Sequence, residues 1–346
     1  MRPRTLSRRR KLLFSVVVCF VFFGILECVL WLSGFEAATR VETMAFTFPM
    51  DDYNRGSSEP FLERDPDLFW KPRPGIMGHN SQGCSGPEFS LSAREGVFRI
   101  VCLGDSCTHF GPDSYPAMLQ SLLQKEAPGK FEVINAGVIG YTSFQGLALL
   151  KRRVISWSPD LVTVYFGWND HWLARDFADT DQSNRVPSLL RLRNALDHSR
   201  TIQLAQLAYS QFTSPSRPGM RVAIDDYRSN LREMFQACEA MWADMWLITA
   251  PHALDISIPP YLMTSGEVDD PSLLVSLHRR YNSAVRQVAA EQQITLIDLE
   301  DEIDTMDKAQ LFLDDRIHLS DLGKSYTAQR LLTELHLAGL LEHHVK

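Results

Sequence analysis

Four short polar segments carry residue types that can perform acyl transfer. The first is GDSCT at 104–108, which follows an apolar run and contains Ser106. The others are NAG at 135–137, GWND at 167–170 and DRIH at 315–318. A serine hydroxyl is a weak nucleophile until a base within hydrogen-bond reach takes its proton. Together, the segments indicate attack by a serine on a carbonyl carbon.

His318 is the residue best suited to act as that base, because imidazole titrates near neutral pH. Asp315 lies three residues earlier, where its carboxylate can orient the imidazole and stabilise the imidazolium ion. Ser106 lies at a turn from strand to helix, so its own N–H points toward a developing oxyanion. Each segment alone also fits an ordinary helix cap or strand end.

Short apolar runs alternate with amphipathic stretches from residue 96 onward, which predicts a parallel sheet covered by helices. The predicted strands are 98–103, 131–134, 161–166, 245–249 and 294–299. The predicted helices are 114–126, 143–157, 225–242, 271–291 and 320–338. Because the carboxyl ends of parallel strands meet at one edge of a sheet, we expect the polar segments to lie together there.

In this order, the four segments resemble the SGNH hydrolase family, also called GDSL esterases and lipases, whose signature blocks supply Ser, Gly, Asn and His. The resemblance implies a flavodoxin-like fold, three α/β/α layers with a five-stranded parallel sheet, and no cofactor. It implies that Ser106 is the nucleophile, with His318 and Asp315 as its partners. The oxyanion hole would be formed by the N–H groups of Ser106 and Gly137 and the side chain of Asn169.

The N-terminus has the pattern of a membrane anchor. Residues 1–11 are rich in arginine, and residues 12–35 are almost unbroken apolar sequence, long enough to cross a bilayer. The positive-inside rule predicts a cytoplasmic tail and an extracytoplasmic catalytic domain, periplasmic or on the cell surface. The alternative is a long signal peptide cleaved near Ala37 and Ala38.

Glu27 is an acid within this apolar stretch, where a charge is costly. It is expected either to pair with a partner in the membrane or to extend its carboxylate toward the outer interface.

The remaining boundaries follow from composition. Residues 36–95 are rich in proline, glycine and charge, which predicts a linker and an N-terminal extension with little regular structure. The hydrolase domain is expected over 96–342. Residues 171–220 break the strand and helix rhythm and predict an insertion that shapes or covers the pocket.

Four further residues are weaker candidates for substrate binding: Trp168, His171, Trp172 and His252. Aromatic residues near strand ends are more often packing, and this alternative stays open. A metal site using His171, His252 and a carboxylate has no close spacing to support it, so no metal is predicted.

Neighbouring residues have structural predictions. We expect Asp105 to hold the nucleophile turn and Asp170 to brace the Asn169 loop. Cys84 and Cys107 are expected either to form a disulfide that pins the extension or to be two buried free thiols.

Composition limits the class of protein. A net charge of −7 and a pI of about 5.8 argue against a nucleic-acid surface. The sequence therefore predicts a serine esterase acting on carboxylic esters, such as acyl groups of envelope glycan or lipid. An O-acyltransferase of a surface glycan, using the same residues, and a non-catalytic envelope glycan-binding protein remain the alternatives.

Overall fold

The computed structural model describes residues 7–35, 60–65, 67–110, 113–174, 178–183, 199–212, 219–264 and 267–345. The chain forms two compact units. The first holds the N-terminal helix and residues 199–212, and the second holds the described residues of 60–183 and 219–345. The predicted cleavage site, residues 36–59 and 66 of the predicted linker and extension, and parts of the predicted insertion lie outside the described residues.

The strands are β1 (Leu62–Asp65), β2 (Phe69–Pro72), β3 (Phe98–Gly104), β4 (Phe131–Gly137), β5 (Leu161–Tyr165), β6 (Asp244–Ile248) and β7 (Thr295–Ile297). The first helices are α1 (Arg8–Leu32), α2 (Ser106–His109), α3 (Tyr115–Glu126), α4 (Ser143–Arg152), α5 (Asp179–Ser183), α6 (Arg200–Phe212) and α7 (Ile224–Ala240). They are followed by α8 (Pro260–Thr264), α9 (Leu274–Gln292), α10 (Leu299–Asp304), α11 (Lys308–Leu311), α12 (Asp321–Leu337) and α13 (Leu340–Val345).

The second unit is built on a parallel sheet with the order β4-β3-β5-β6-β7. Helices α3 and α12 pack together, and α7 packs on both α4 and α9. Every residue of the inner strand β3 is buried, as expected when helices cover both faces of a sheet. The predicted α/β fold with a five-stranded parallel sheet is confirmed.

The N-terminal extension contains more regular structure than its composition predicts. Strands β1 and β2 form an antiparallel hairpin. The hairpin is held to the sheet domain by Trp70, whose indole N–H donates to the Ile139 carbonyl at 3.0 Å and whose carbonyl accepts from the Tyr141 hydroxyl at 2.5 Å. The extension therefore packs beside the loop that follows β4.

Strand β4 lies at the edge of the sheet and is partly covered by a side chain from α3. The amide of Gln120 accepts from the Val133 N–H at 2.7 Å and donates to the Phe131 carbonyl at 3.3 Å. One side chain thus occupies the position that the backbone of a neighbouring strand would take.

The two ends of the predicted insertion are joined by backbone hydrogen bonds. The Arg221 N–H donates to the Trp172 carbonyl at 2.8 Å, and the Val222 N–H donates to the Asp170 carbonyl at 3.0 Å. The two segments that flank the insertion thus pair beside the loop that carries Asn169.

The first unit contains α1 (Arg8–Leu32), which overlaps the predicted anchor segment 12–35. Gly34, at a φ of 69°, ends it with its N–H donated to the Trp31 carbonyl at 3.1 Å. This helix is long and apolar enough to cross a membrane, a test that a signal sequence also passes. It contacts α6 within the same unit.

Candidate active site

The turn between β3 and α2 positions Ser106 at the carboxyl edge of the sheet. Asp105 caps α2, because its Oδ1 accepts from the Cys107 N–H at 2.8 Å. A Cβ at Gly104 would lie 2.1 Å from the Thr108 hydroxyl, so only glycine permits this close turn. The predicted structural function of Asp105 matches these contacts.

Ser106, His318 and Asp315 form a chain of hydrogen bonds. Ser106 Oγ lies 2.8 Å from His318 Nε2, and His318 Nδ1 lies 2.6 Å from Asp315 Oδ2. The other carboxylate oxygen, Oδ1, accepts from the N–H groups of Ile317 at 3.0 Å and His318 at 2.9 Å. The three-residue spacing of DRIH thus holds the imidazole with one nitrogen toward the serine and the other toward the carboxylate.

The carboxylate of this chain is held in its charged form. Partial burial raises the pKa of Asp315, but the hydrogen bonds from the His318 ring and from two backbone N–H groups outweigh it, so the pKa lies below its ordinary value. The side chains of His318 and Asp315 are 20% and 29% exposed. The catalytic candidates are therefore open to a substrate from solution.

Gly137 ends β4 beside α2, the helix that begins at Ser106. A Cβ at this position would lie 2.6 Å from the His109 nitrogen, so only glycine fits here. Its N–H donates to Asn135 Oδ1 at 3.0 Å. An oxyanion bound at this N–H would therefore have to share it with Asn135 or displace that side chain.

The Asn169 side chain is held from two sides. Its Nδ2 donates to the Tyr141 carbonyl at 3.0 Å and to Asp105 Oδ2 at 3.4 Å. Asp105 is buried, and burial raises its pKa to about 6 despite the bond from the Cys107 N–H. The Asn169 amide nitrogen, which is predicted to bind an oxyanion, thus lies next to Asp105, the residue that caps α2.

Asn135 was missed as a functional residue by the sequence analysis, although it begins the NAG segment. Its buried amide donates to the Thr108 carbonyl at 2.9 Å, the His109 carbonyl at 3.3 Å and Ser114 Oγ at 3.1 Å. Since its oxygen accepts from Gly137, the side chain links the end of α2 to the end of β4.

A buried ion pair supports the loop after β4 and was also missed. Arg221 and Asp179 are almost fully buried and lie 3.0 Å apart. Arg221 also donates to the Gly140 carbonyl at 2.7 Å, and Asp179 accepts from the Thr142 hydroxyl at 2.7 Å. Both groups hold the loop whose Tyr141 carbonyl accepts from the predicted oxyanion residue. No local pattern signals this pair, because its members lie 42 residues apart.

Asp170 braces the segment next to Asn169, as predicted. Its Oδ1 accepts from the Ser143 N–H at 2.9 Å and the Ser143 hydroxyl at 2.6 Å. Burial raises its pKa to about 7 even though these bonds favour the ionised form. The bracing carboxyl therefore holds a proton over a wider pH range than an exposed aspartate.

The four weaker substrate-binding candidates lie in the interior. Trp168, His171, Trp172 and His252 are each no more than 5% exposed. Trp168 stacks on His278 at 3.9 Å between ring centres, and His171 Nε2 lies 3.0 Å from His278 Nδ1. These contacts are the packing alternative, so the structure does not place the four side chains as an exposed wall of the site. Within the described residues, no group of three or more metal-binding side chains is found.

The extension reaches the nucleophile helix through a histidine pair. His79 Nε2 lies 3.3 Å from His109 Nε2, and His109 Nδ1 lies 2.9 Å from the Gly137 carbonyl. Of the two alternatives for Cys84 and Cys107, the structure has the second, two buried free thiols and no bridge. A pair of buried imidazoles, rather than a disulfide, joins the extension to this helix.

Solved structures of several esterases are similar to this chain. A lipase/acylhydrolase from Enterococcus faecalis matches at 19% identity and a TM-score of 0.47, covering 69% of this chain and 95% of that chain. Axe2, an acetylxylan esterase from Geobacillus stearothermophilus, matches at 21% identity and a TM-score of 0.45, covering 69% and 94%. The acetyl xylan esterase AlAXEase matches at 18% identity and a TM-score of 0.44, covering 69% and 100%.

Comparison with curated protein sequences gives no significant match. A profile of the GDSL-like lipase/acylhydrolase family matches residues 102–325, which is more than half of the chain and includes all four polar segments. The chain belongs to the GDSL-like lipase/acylhydrolase family and is an ester-hydrolysing enzyme.

Proposed function

We propose that this enzyme hydrolyses carboxylic esters through an acyl-enzyme on Ser106. The observation that carries the proposal is the hydrogen-bonded chain from Ser106 Oγ to His318 and on to Asp315, at 2.8 and 2.6 Å. A hydroxyl, a base and an orienting carboxylate in this order are the parts needed for nucleophilic acyl transfer.

In the first half-reaction, Ser106 Oγ attacks the ester carbonyl carbon while its proton passes to His318 Nε2. Asp315 stabilises the imidazolium that forms. The tetrahedral intermediate then collapses, and the leaving alcohol takes the proton from His318. In the second half-reaction, His318 takes a proton from the water molecule that attacks the acyl-enzyme. The second tetrahedral intermediate then collapses, His318 returns the proton to Ser106 Oγ, and the carboxylic acid is released.

Three donors are proposed for the negative charge on the carbonyl oxygen. They are the backbone N–H groups of Ser106 and Gly137 and the side-chain amide of Asn169. In the part of the chain that the structure describes, no acceptor engages the Ser106 N–H. The other two already have acceptors, Asn135 for the Gly137 N–H and Tyr141 with Asp105 for the Asn169 amide, which an oxyanion would have to share or displace.

The proposed substrate class follows from the proposed location of the enzyme on the outer side of a membrane. We propose that α1 anchors the chain, with its basic end in the cytoplasm and the catalytic unit outside. Esters accessible to such an enzyme include O-acetyl or other acyl groups on envelope glycan or lipid. The membrane helix supports this choice, since it would confine the enzyme to that surface.

Hydrolysis of p-nitrophenyl esters of increasing acyl length tests the proposal, using the full-length protein in nanodiscs. Ser106→Ala and His318→Ala are each expected to abolish turnover, whereas Ser121→Ala, an exposed serine on α3, is expected to leave it unchanged. A fluorophosphonate is expected to label the wild type at Ser106. Absence of both hydrolysis and labelling in the wild type would contradict the proposal.

Product analysis with an acetylated glycan and a second glycan as acceptor separates the two acyl-transfer reactions. Free carboxylic acid alone supports the hydrolase. Acyl groups recovered on the acceptor would show that a sugar hydroxyl replaces water in the second step.

A further inference from the structure

The carboxylate of Glu27 on α1 binds the beginning of α6. It accepts from the Ser199 hydroxyl at 2.7 Å, the Arg200 N–H at 2.7 Å and the Thr201 N–H at 2.9 Å. Both carboxylate oxygens are used, and all four residues belong to the same compact unit. An acid from one helix therefore caps the N-terminus of another.

This contact satisfies two groups that are each unfavourable in a bilayer. A helix begins with backbone N–H groups that have no partner in the helix, and its dipole favours a negative charge there. A carboxylate within a membrane span also needs donors, because hydrocarbon provides no water. In water, the carboxylate and the N–H groups of the helix start would each be solvated separately. In a membrane, the carboxylate accepts from these N–H groups and both are satisfied.

The position of Glu27 fixes the depth at which α6 begins. Glu27 lies five residues before the end of α1 at Leu32, which is about 7 Å along the helix axis. If α1 spans the bilayer with its basic end inside, the start of α6 lies near the outer interface. Depths of about 5–10 Å are typical of amphipathic helices that lie in that interface.

The composition and exposure of α6 fit an interfacial helix. Its sequence, RTIQLAQLAYSQF, mixes apolar and uncharged polar residues after a single N-terminal arginine. Leu207 is 44% exposed, and Ala205 and Ala208, which lie on other sides of the helix, are also exposed. The side chains of Leu26 and Leu30 on α1 are only partly exposed, in contrast to most of that helix.

We propose that α6 is a membrane-surface helix, docked on α1 through Glu27 and presenting the exposed Leu207 side chain to lipid of the outer leaflet. The proposal rests on the membrane anchoring proposed above. It gives the insertion a use other than covering the pocket, namely a second attachment to the bilayer. It also requires that α1 is retained, because cleavage near Ala37 would remove the cap.

Spin-label accessibility in nanodiscs of phosphatidylcholine and phosphatidylglycerol tests the depth of α6. One label replaces Leu207 in a protein with Cys19→Ser and Cys28→Ser, since the other four cysteines are buried. Native Cys28, labelled with Cys19 replaced, is the lipid reference on α1. A label at the exposed position Lys125, in the same cysteine background, is the aqueous reference.

The ratio of oxygen to nickel-chelate accessibility at position 207 is expected to approach that at position 28 and to exceed that at position 125. If the accessibility ratio at position 207 equals that at position 125 while position 28 is in lipid, α6 is not a membrane-surface helix. The proposal that α1 is a membrane anchor is not affected by that result. Water exposure at position 28, or a mature chain beginning after Ala38, would overturn the anchor as well. Ester hydrolysis is measured separately and does not depend on either result.

Removal of the cap tests the docking itself. Glu27→Ala is expected to lower the ratio of docked to undocked α6 about tenfold, which corresponds to about 1.4 kcal/mol, a usual cost of losing a helix cap. Ser15→Ala, at a polar position more than three turns away on α1, is the matched control and is expected to change nothing. An unchanged label at 207 in Glu27→Ala would show that Glu27 does not hold α6.

Discussion

Two regions of the catalytic unit use charge in opposite ways. The Ser106, His318 and Asp315 chain lies at the surface, and its carboxylate has a lowered pKa. Beneath the loop after β4, Asp179 and Arg221 are almost fully removed from solvent and serve only the backbone and neighbouring side chains.

This difference in burial separates the residues proposed to take part in the reaction from the residues that hold the backbone in place. In the proposed reaction, the partly exposed chain of Ser106, His318 and Asp315 must admit substrate and water and move a proton, so it depends on hydrogen bonds that can change partners. The buried pair must keep Tyr141 and its neighbours in place, so it depends on contacts that do not open. Variants in the first region should alter turnover with little loss of stability, and variants in the second should alter both.

The largest expected effect comes from Asp315→Asn. An amide cannot stabilise the imidazolium and favours the wrong tautomer of His318, so kcat for p-nitrophenyl acetate should fall about 10³- to 10⁴-fold. The exposed neighbour Asp314 provides the matched variant, Asp314→Asn, which should retain full turnover. Equal activity of the two variants would remove Asp315 from the mechanism.

Removing one member of the buried pair of Asp179 and Arg221 should have the next largest effect, which is on stability and not only on turnover. Asp179→Ala leaves the Arg221 charge buried without its partner, which should lower the free energy of unfolding by about 3–5 kcal/mol. The comparison is the exposed pair of Lys151 and Glu233, at 46% and 44% exposure, where Glu233→Ala should cost less than about 1 kcal/mol. Urea unfolding followed by tryptophan fluorescence measures both, and similar losses would show that burial does not distinguish them.

Asn169→Ala should affect turnover more than substrate binding. Loss of one oxyanion donor costs about 3–4 kcal/mol in the transition state, so kcat should fall about 10²- to 10³-fold with KM nearly unchanged. A rise in KM at constant kcat would instead assign the side chain to ground-state binding.

The last prediction concerns the pH dependence of stability. Asp170 has a pKa of about 7 in the folded protein, raised by burial from its ordinary 3.8. Between these values the folded state keeps a proton that the unfolded state releases, so this residue makes the protein less stable as pH rises from about 4 to 7. The free energy of unfolding of Asp170→Asn, relative to that of the wild type, should therefore increase as pH rises over this interval. Urea unfolding at several pH values measures both.

Most of the sheet was predictable because its strands are short apolar runs separated by amphipathic stretches. The prediction of 98–103 differs from β3 by one residue, and 161–166 differs from β5 by one. The β1 and β2 hairpin was missed because its strands, LERD and FWKP, lack apolar alternation. Its conformation depends on the contacts that Trp70 makes about 70 residues away, which no local pattern contains.

The candidate site divides in the same way. Ser106, His318 and Asp315 were found because their residue types and order already indicate a reaction. Asn135, Asp179 and Arg221 were missed because their function is to hold backbone that only the fold brings near. The aromatic and histidine residues around Asn169 looked chemically useful, but side chains that follow a strand can turn inward as easily as outward, and these turn inward.

The hydrogen bonds between the Gln120 amide and the edge strand β4 have a consequence for self-association if α1 anchors the enzyme to a membrane as proposed. Confinement to a surface crowds copies of a protein in two dimensions, and an open strand edge in such a layer invites backbone pairing between neighbours and growth of fibrous aggregates. With the Val133 N–H and the Phe131 carbonyl already bonded, that edge offers fewer groups to a second copy. A single neutral side chain thus helps to keep crowded neighbours separate.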